Sequence, residues 1–398
     1  MNQKSILIIG AGPIGLAMAM ALTGHGLKII IVDLQSKKNI SNPIYDGREI
    51  ALTHHTKNTM KKFGIWELIN PEDISYINKA RILDNDDQPS IEIRDYFKKN
   101  SAIGYLVSNK NIKFFSYQAL NKLSSINNDI QFIFDTEVLD IEDVDDTSKV
   151  KLSSGEILNV SLVISADSRF SKIRTLKGIK SSSFDYGRDM LVCNMAHKKS
   201  HELTAWEWFT YGQTLALLPM QNIKKGSYKS SVIISISKHE INNLKIVDPD
   251  IFNLEVTKKF KGRFGPMKLD GDRYVYPLIS VYSKKFIGNK YAVIGDAAVG
   301  MHPVTAHGYN FGLDSVITLS QLINVAHNSG RDFASEILLN KYEHIHVRTT
   351  KPLYLFTKFI VNLFTNESRE AKVIRKIILH VAKFPLVERV ASKFILKE

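Results

Sequence analysis

The chain has 398 residues, of which 44% are hydrophobic and 23% charged, a balance that excludes a disordered protein and suits two intimately joined domains. A net charge of +13 raises nucleic acid as a partner, yet no nucleic-acid motif accompanies it, and the pairs Lys61-Lys62, Lys98-Lys99, Lys224-Lys225, Lys258-Lys259 and Lys284-Lys285 read as solvated faces. The single cysteine, Cys193, excludes an internal disulfide and a cysteine zinc cluster, reads as a core thiol and fits a reducing compartment.

Ser5 to Ile9 reads as a buried strand, with no signal peptide before it. Then come Gly10-Ala11-Gly12-Pro13-Ile14-Gly15, an Ala/Leu/Met helix to Thr23, and a second strand, Lys28 to Val32, that ends in Asp33. Three glycines at this spacing allow a tight turn, close approach of backbone to a pyrophosphate, and packing of helix on strand; the acid about 20 residues on takes ribose hydroxyls. Pro13 suits a first helical turn, where no donor is lost. The order of strand, glycines, helix, strand and acid predicts an adenine-dinucleotide site.

Asp46-Gly47-Arg48-Glu49-Ile50-Ala51-Leu52 follows the second strand. The acidic patch Asp140 to Asp146 lacks calcium-loop spacing and reads as a solvated strand end. A third apolar strand leads into Ala166-Asp167-Ser168-Arg169-Phe170-Ser171-Lys172-Ile173-Arg174. Residues 190–240 alternate like an antiparallel sheet, with Leu191 to Met195, Thr214 to Leu218 and Ser231 to Ser237 as strands and Lys224-Lys225-Gly226-Ser227 as a turn. Within it, Trp206-Glu207-Trp208 reads as structural packing.

The most informative stretch is Tyr291 to Ala298, running on to His302-Pro303 and Gly308-Tyr309-Asn310-Phe311-Gly312. An apolar strand ends in Gly295-Asp296, and a helix opens at Gly308, so a carboxylate and a helix N-terminus face one space. The carboxylate accepts hydroxyls, while free N–H groups and the helix dipole favour negative charge. A flavin offers both, in its ribityl chain and in the pyrimidine edge that turns anionic on reduction. His302 and His307 lack metal-ligand spacing on a regular element, and no metal site is expected.

From Pro352 the tail is helical by pattern. One helix takes Leu353 to Phe356 and Phe359 to Val361, another Val373 to Val381, and Pro385 opens a third. Ten Lys or Arg stand against four Glu between Lys351 and Glu398, and Lys372, Lys376 and Lys383 are interleaved with apolar residues. Such a tail suits either a helical cap or an anionic membrane surface. No apolar run approaches the ~18 residues of a membrane span, and a cytoplasmic location, with peripheral association at the inner membrane as the variant, is expected.

The Asp46-Gly47-Arg48 and Asp167 segments, with the Gly-Asp loop, resemble in order the signatures of the group A flavin monooxygenases, single-component aromatic hydroxylases that hold FAD and borrow NAD(P)H transiently. The details are most similar to the ubiquinone-biosynthesis hydroxylases: Asp-Gly-Arg before a helix, Ala205 to Pro219, and Leu363-Phe364-Thr365-Asn366. Three positions depart from the pattern. Asp167-Ser168 stands for Asp-Gly, Val299 for a His, and Ala306-His307-Gly308 for Gly-Gln-Gly.

The resemblance implies an α/β fold, with a Rossmann-like FAD-binding domain of residues 1–75, 98–178 and 270–350. It also implies an interleaved substrate domain of residues 76–97 and 179–269 built on an antiparallel sheet, and a C-terminal helical region of residues 351–398. FAD would be noncovalent, held by Gly10, Ala11, Gly12, Pro13 and Gly15, by Asp33 at the adenosine ribose, Arg48 at the pyrophosphate, Asp167, Asp296 at the ribityl chain, and Gly308, Tyr309 and Asn310 at the ring. Pro303 would border the site of oxygen transfer, and His307 would line the flavin pocket. The implied activity is hydroxylation of a polyprenyl phenol or quinol with NAD(P)H and O₂, with an anionic membrane surface or other ubiquinone-biosynthesis proteins as the implied partners. A small soluble aromatic substrate, or a non-catalytic flavoprotein scaffold, are the alternatives.

Overall fold

The computed structural model describes residues 3–84, 91–95, 101–210, 212–221, 226–303, 307–366 and 368–382. At its centre is a six-stranded sheet in the order Ile287–Gly288, Tyr291–Val293, Leu162–Ser165, Ser5–Ile9, Lys28–Val32 and Ile130–Ile133. The four long-range pairings among the last five strands are parallel. Ser5–Ile9 is buried throughout, because a parallel sheet is covered by helices on both faces and selects continuous apolar runs. The strand order reverses beside Ser5–Ile9. The carboxyl ends of this strand and of Leu162–Ser165 thus open the crevice in which doubly wound sheets bind ligands.

A second, larger sheet carries Val299–Gly300, Tyr274–Ser283, Ser181–His197, Tyr228–Ser237, Gln213–Pro219, Thr204–Thr210, Lys79–Asp84 and Ile91–Arg94 in that order. The three strands expected between residues 190 and 240 lie inside its members. Lys224 and Lys225 of the expected turn lie outside the described residues. One face packs on the helices Lys238–Ile246 and Pro249–Lys259, burying Trp206, Trp208, Phe260 and Phe264 in a second core. Cys193 is buried in that core as expected, and burial pushes its thiol up to about 12. The Asp140 to Asp146 patch is the end of a hairpin between Val138–Val144 and Thr147–Leu152, where Lys177 Nζ pairs with Asp143 at 2.7 Å.

The tail differs from expectation at its start. One helix runs from Glu336 to Thr365 with Pro352 inside it, so the division at residues 350 and 351 falls within a continuous element. Proline in a helix interior costs about 3 kcal/mol through a lost donor and a clash, but anchors grip the helix on both sides of it. Thr350 bonds Tyr282 at 3.1 Å and Tyr354 bonds Ser280 at 3.3 Å, while Tyr342, His346, Tyr354, Thr357 and Val361 continue one buried stripe. A further helix spans Arg369–Ala382. The third helix expected at Pro385, and Lys383 with it, lie outside the described residues.

Candidate flavin and substrate site

The glycine turn shows which glycines the fold itself needs. Gly10 has φ +107°, and a Cβ there would lie 2.6 Å from the Ala166 carbonyl oxygen, at the mouth of the crevice. A Cβ on Gly15 would stand 1.9 Å from the Gly10 carbonyl oxygen, whereas one on Gly12 would meet nothing within 4 Å. Gly12 therefore guards open space, not a protein contact. It precedes a helix of Pro13–Leu22 whose N-terminus has no side-chain cap; by contrast Ser36, Thr53, Ser108, Ser171, Ser237 and Asp248 cap their helices with side chains. Asp33 holds the turn from the side, accepting the Ala11 N–H at 2.6 Å and the Gln35 N–H at 2.7 Å.

The Gly-Asp loop is bound to that turn through one side chain. Ile14 fills the space that glycine leaves at two positions: a Cβ on Gly295 would lie 3.0 Å from its Cγ2, and one on Gly312 would lie 2.5 Å from its Cδ1. Ser315 completes the joint by accepting the Gly295 N–H at 3.2 Å. Asp296 is partly exposed, and its carboxylate takes the Arg169 guanidinium at 3.0 Å. Arg169 also donates to the Ile279 carbonyl at 2.8 Å, and Arg174 donates to the Ala297 carbonyl at 2.6 Å.

Both arginines and the Gly-Asp loop were visible in the sequence, but their pairing, across more than a hundred residues, was not. Asp167 itself accepts a hydrogen bond from Ser165 at 2.6 Å. The departure at Ser168 is accommodated: the side chain is exposed, and its hydroxyl accepts the Phe170 N–H at 3.2 Å.

The helix Gly308–Asn328 starts without a side-chain cap, and Gly308 faces Asp296, whose Oδ1 would lie 3.8 Å from a Cβ there. Asn310 turns its side chain inward, accepting from Thr53 N–H at 3.2 Å and Thr56 hydroxyl at 2.6 Å and donating to the Ala51 carbonyl at 3.0 Å. The Tyr309 hydroxyl is buried and has no hydrogen-bond partner among the described residues. Pro303 is exposed, and His307 precedes the helix with its ring 5.4 Å from that of Phe311. His302 packs edge-on to Tyr186 at 4.6 Å. Burial, helped by the Arg169 charge, lowers it to about 3, so it is a neutral ring.

The Asp46-Gly47-Arg48 loop meets the large sheet. Arg48 pairs with Asp46 at 2.6 Å and lies 5.2 Å from the centre of the Tyr276 ring. Tyr276 in turn donates to the Asp46 carbonyl at 2.6 Å. Burial works against the Asp46 carboxylate, but Arg48, Asn109 and Lys113 outweigh it and hold its pKa below the usual range. Gly47 has φ +76°, and a Cβ there would stand 2.4 Å from the Tyr274 ring. Beside it, Tyr45 donates to Glu49 at 3.0 Å and accepts from Asn194 at 2.9 Å. Burial pushes Glu49 up to about 7 despite the Tyr45 hydrogen bond.

An uncapped helix N-terminus behind open space at Gly12, an acid at the second strand, a second uncapped helix facing Asp296 and an orphaned buried hydroxyl together fit an extended dinucleotide with a ring at one end. A Rossmann crevice of this kind beneath a large sheet, antiparallel as expected except where Thr204–Thr210 pairs in parallel with Lys79–Asp84, is the frame of a flavin-dependent oxygenase. The chain matches the FAD binding domain family over residues 3–353, and it belongs to that family, the group A flavin monooxygenases. It is 37% identical to the ubiquinone hydroxylase UbiM of Neisseria meningitidis, over 98% of this chain and 84% of that protein. It is 26% identical to the ubiquinone hydroxylase UbiL of Rhodospirillum rubrum, over 94% of this chain and 84% of the relative. Its fold is similar to that of p-nitrophenol 4-monooxygenase PnpA from Pseudomonas putida DLL-E4, with a TM-score of 0.76 at 15% identity, covering 99% of this chain and 98% of that one.

Proposed function

We propose that this FAD-dependent monooxygenase hydroxylates the ring of a polyprenyl phenol or quinol in ubiquinone biosynthesis, with NAD(P)H as transient reductant. The observation that carries this reading beyond the family is the sheet face turned toward Arg48 and Tyr276, where Ala216, Leu218 and Ile233 are only half-buried. On the other face their neighbours Leu215, Leu217 and Ile234 are fully buried. A half-open apolar surface beside the flavin crevice suits a ring carrying a hydrocarbon chain better than a small charged aromatic.

In this reading residues 1–75, 98–178 and 270–350 hold FAD, residues 76–97 and 179–269 hold the substrate, and the helices beyond residue 350 close one side. Gly10, Ala11, Gly12, Pro13 and Gly15 admit the pyrophosphate, Asp33 takes the ribose, and Arg48 moves between Asp46 and phosphate. Asp296 and Arg169 take the ribityl chain, while the N–H groups of Gly308, Tyr309 and Asn310 face the ring edge. Asp167 braces the crevice, and Pro303 and His307 border the ring. FAD, once reduced by NAD(P)H, supplies the activated oxygen drawn from O₂. The protein supplies position and exclusion of water.

Access to a lipid-soluble substrate has its own support. Among the described residues no helix is long and apolar enough to cross a membrane. Leu355, Phe356, Phe359, Val373 and Ile374 are nevertheless exposed on the last two helices, with Lys351, Arg369 and Lys372 around them. Apolar side chains rimmed by cations fit peripheral contact with an anionic bilayer.

The test is NAD(P)H oxidation by the purified protein with a short-chain prenylphenol, with the product identified by mass, together with quinone profiles of cells lacking the protein. Hydroxylated product and accumulation of an under-hydroxylated quinone precursor are expected. Flavin binding without product would favour the scaffold reading; product only from water-soluble phenols would favour the small-aromatic one.

A further inference from the structure

Register assigns each residue of the large sheet to a face. Trp208, Leu215, Ile234 and Leu191 form one row across four strands, and all are within 1% of complete burial. The next row, on the opposite face, is Glu207, Ala216, Ile233, Val192 and Tyr274. Glu207 thus points away from the tryptophans on either side of it, so its packing differs from that expected for the Trp206-Glu207-Trp208 segment as a whole.

The row has two ends. At one, Tyr274 lies against Gly47 in the loop that carries Arg48. At the other, Ile82 follows Glu207 across the sheet and joins Phe209 and Ile91 beneath Leu363, Phe364 and Ala371 of the last two helices. Glu207 lies on this face between the flavin loop and the C-terminal helices, with the apolar Ala216 and Ile82 as its cross-strand neighbours. Its carboxyl makes no hydrogen bond or ion pair with the described residues. The charged and titratable groups on the same face are Asp84, within 4.0 Å of buried Arg375, Arg188, which donates to the Gly212 carbonyl, Lys229, which pairs with Asp270 at 2.8 Å, and Tyr274 and Tyr276 on the far side, with the Tyr45–Glu49 pair beyond them. None of them contributes to the state of Glu207, whose carboxyl burial alone pushes up to about 8. By accessible surface Glu207 is only half-buried, so its carboxyl sits among apolar neighbours and is still open to a bound molecule on one side.

We propose that Glu207 is the catalytic acid–base of hydroxylation, accepting the proton of the substrate's phenolic hydroxyl as the ring takes up oxygen. This rests on the phenolic or quinol substrate proposed above. In the step the phenol O–H bond breaks, an O–H bond forms on Glu207, and the released electron pair enters the ring as the new C–O bond forms ortho or para to it. The ring C–H proton then leaves to water as aromaticity returns, and Glu207 gives its proton back to the phenolate oxygen, ending unchanged. The ring gains one atom of O₂; the other leaves as water with the two electrons of NAD(P)H. A base whose conjugate acid lies near 8 is far closer to a phenol, at about 10, than a solvated carboxylate at about 4.3.

The experiment compares wild-type and Glu207→Gln holoenzymes, with a short-chain prenylphenol as probe, across pH 6 to 9.5. Product formation, NAD(P)H consumption, hydrogen peroxide and FAD content are measured together. Wild-type kcat/KM for product should rise with pH through about 8, because the carboxylate is the active form. Glu207→Gln should keep its FAD and its NAD(P)H oxidation, lose roughly 100- to 10,000-fold in hydroxylation, lose the inflection and release peroxide instead. Glu207→Asp should recover part of the rate. A Glu207→Gln enzyme that hydroxylates at the wild-type rate, or keeps the inflection, overturns the assignment while leaving the hydroxylase reading intact. A wild-type enzyme that yields no hydroxylated product overturns both.

Discussion

Gly12 and Gly15 belong to one motif, yet the structure separates their roles, and the contrast can be measured. Gly12 has φ −71°, where any L-residue is comfortable, and a Cβ there touches no protein atom within 4 Å. Gly12→Val should therefore change the stability of the flavin-free protein by no more than about 0.5 kcal/mol, the usual range for a site with no packing role. Its side chain would occupy the space proposed for the pyrophosphate. If two phosphate contacts of about 1.5–3 kcal/mol each are lost, FAD affinity should fall roughly 100- to 10,000-fold.

Gly15→Val meets the Gly10 carbonyl oxygen at 1.9 Å, and backbone cannot step aside as a flexible side chain can. Overpacking of this kind costs about 1–3 kcal/mol or more, so this variant should lose stability before any cofactor is added. Flavin titration followed by fluorescence, beside denaturant unfolding of the flavin-free proteins, reads both quantities. A Gly12→Val protein that binds FAD like wild type, or that unfolds as readily as Gly15→Val, would refute the reasoning.

Asp296→Ala removes the carboxylate that Arg169 meets at 3.0 Å and should weaken FAD roughly ten- to more than a hundredfold, as for loss of a charge-assisted hydrogen bond; wild-type affinity would take Asp296 out of the site. Charge reversal of Lys351, Arg369 and Lys372 should reduce sedimentation with anionic liposomes, and wild-type binding should itself weaken with salt as the Debye length shortens to about 10 Å at 0.1 M. Binding indifferent to both would leave the last helices as a cap. Glu207 is held neutral to about pH 8 in the fold but ionises near 4.5 when unfolded, so the unfolded chain binds fewer protons between those values and stability falls as pH rises through that window. Glu207→Gln should match wild type in melting temperature near pH 4.5 and exceed it increasingly up to pH 8, and equal melting curves throughout would show that Glu207 is not shielded from water.

What was legible in the sequence was what local spacing decides. Gly10, Gly12, Gly15 and Asp33 lie on one strand–turn–helix–strand unit, and Asp296 and Gly308 flank one short loop, so their juxtaposition needs no long-range knowledge. The fold class came with the family resemblance that these motifs carry. The Arg169–Asp296 pair and the insertion of Ile14 between Gly295 and Gly312 were hidden, because each joins segments whose approach is set by the order of strands in the central sheet. Glu207 was hidden for another reason: alternation shows that it opposes Trp206 and Trp208, but only its register with Ala216 and Ile82 shows which side faces the flavin loop. Pro352 misled because its usual effect ends a helix, and here contacts on both sides of it carry the helix through.

The strand Tyr274–Ser283 explains how distant motifs hold one geometry. Tyr274 packs on Gly47, Tyr276 grips the Asp46 carbonyl beside Arg48, Ile279 gives its carbonyl to Arg169, Ser280 meets Tyr186 and Tyr354, and Tyr282 meets Thr350. Each contact ties the large sheet to a different part of the flavin crevice or to the long helix. A shift of the sheet by a few tenths of an ångström would have to loosen several of them together, including the carbonyl that orients Arg169 toward Asp296. A substrate bound on the face that carries Glu207, as proposed, would therefore be registered against the flavin by a hydrogen-bonded strand, an arrangement that suits the narrow tolerance catalysis demands.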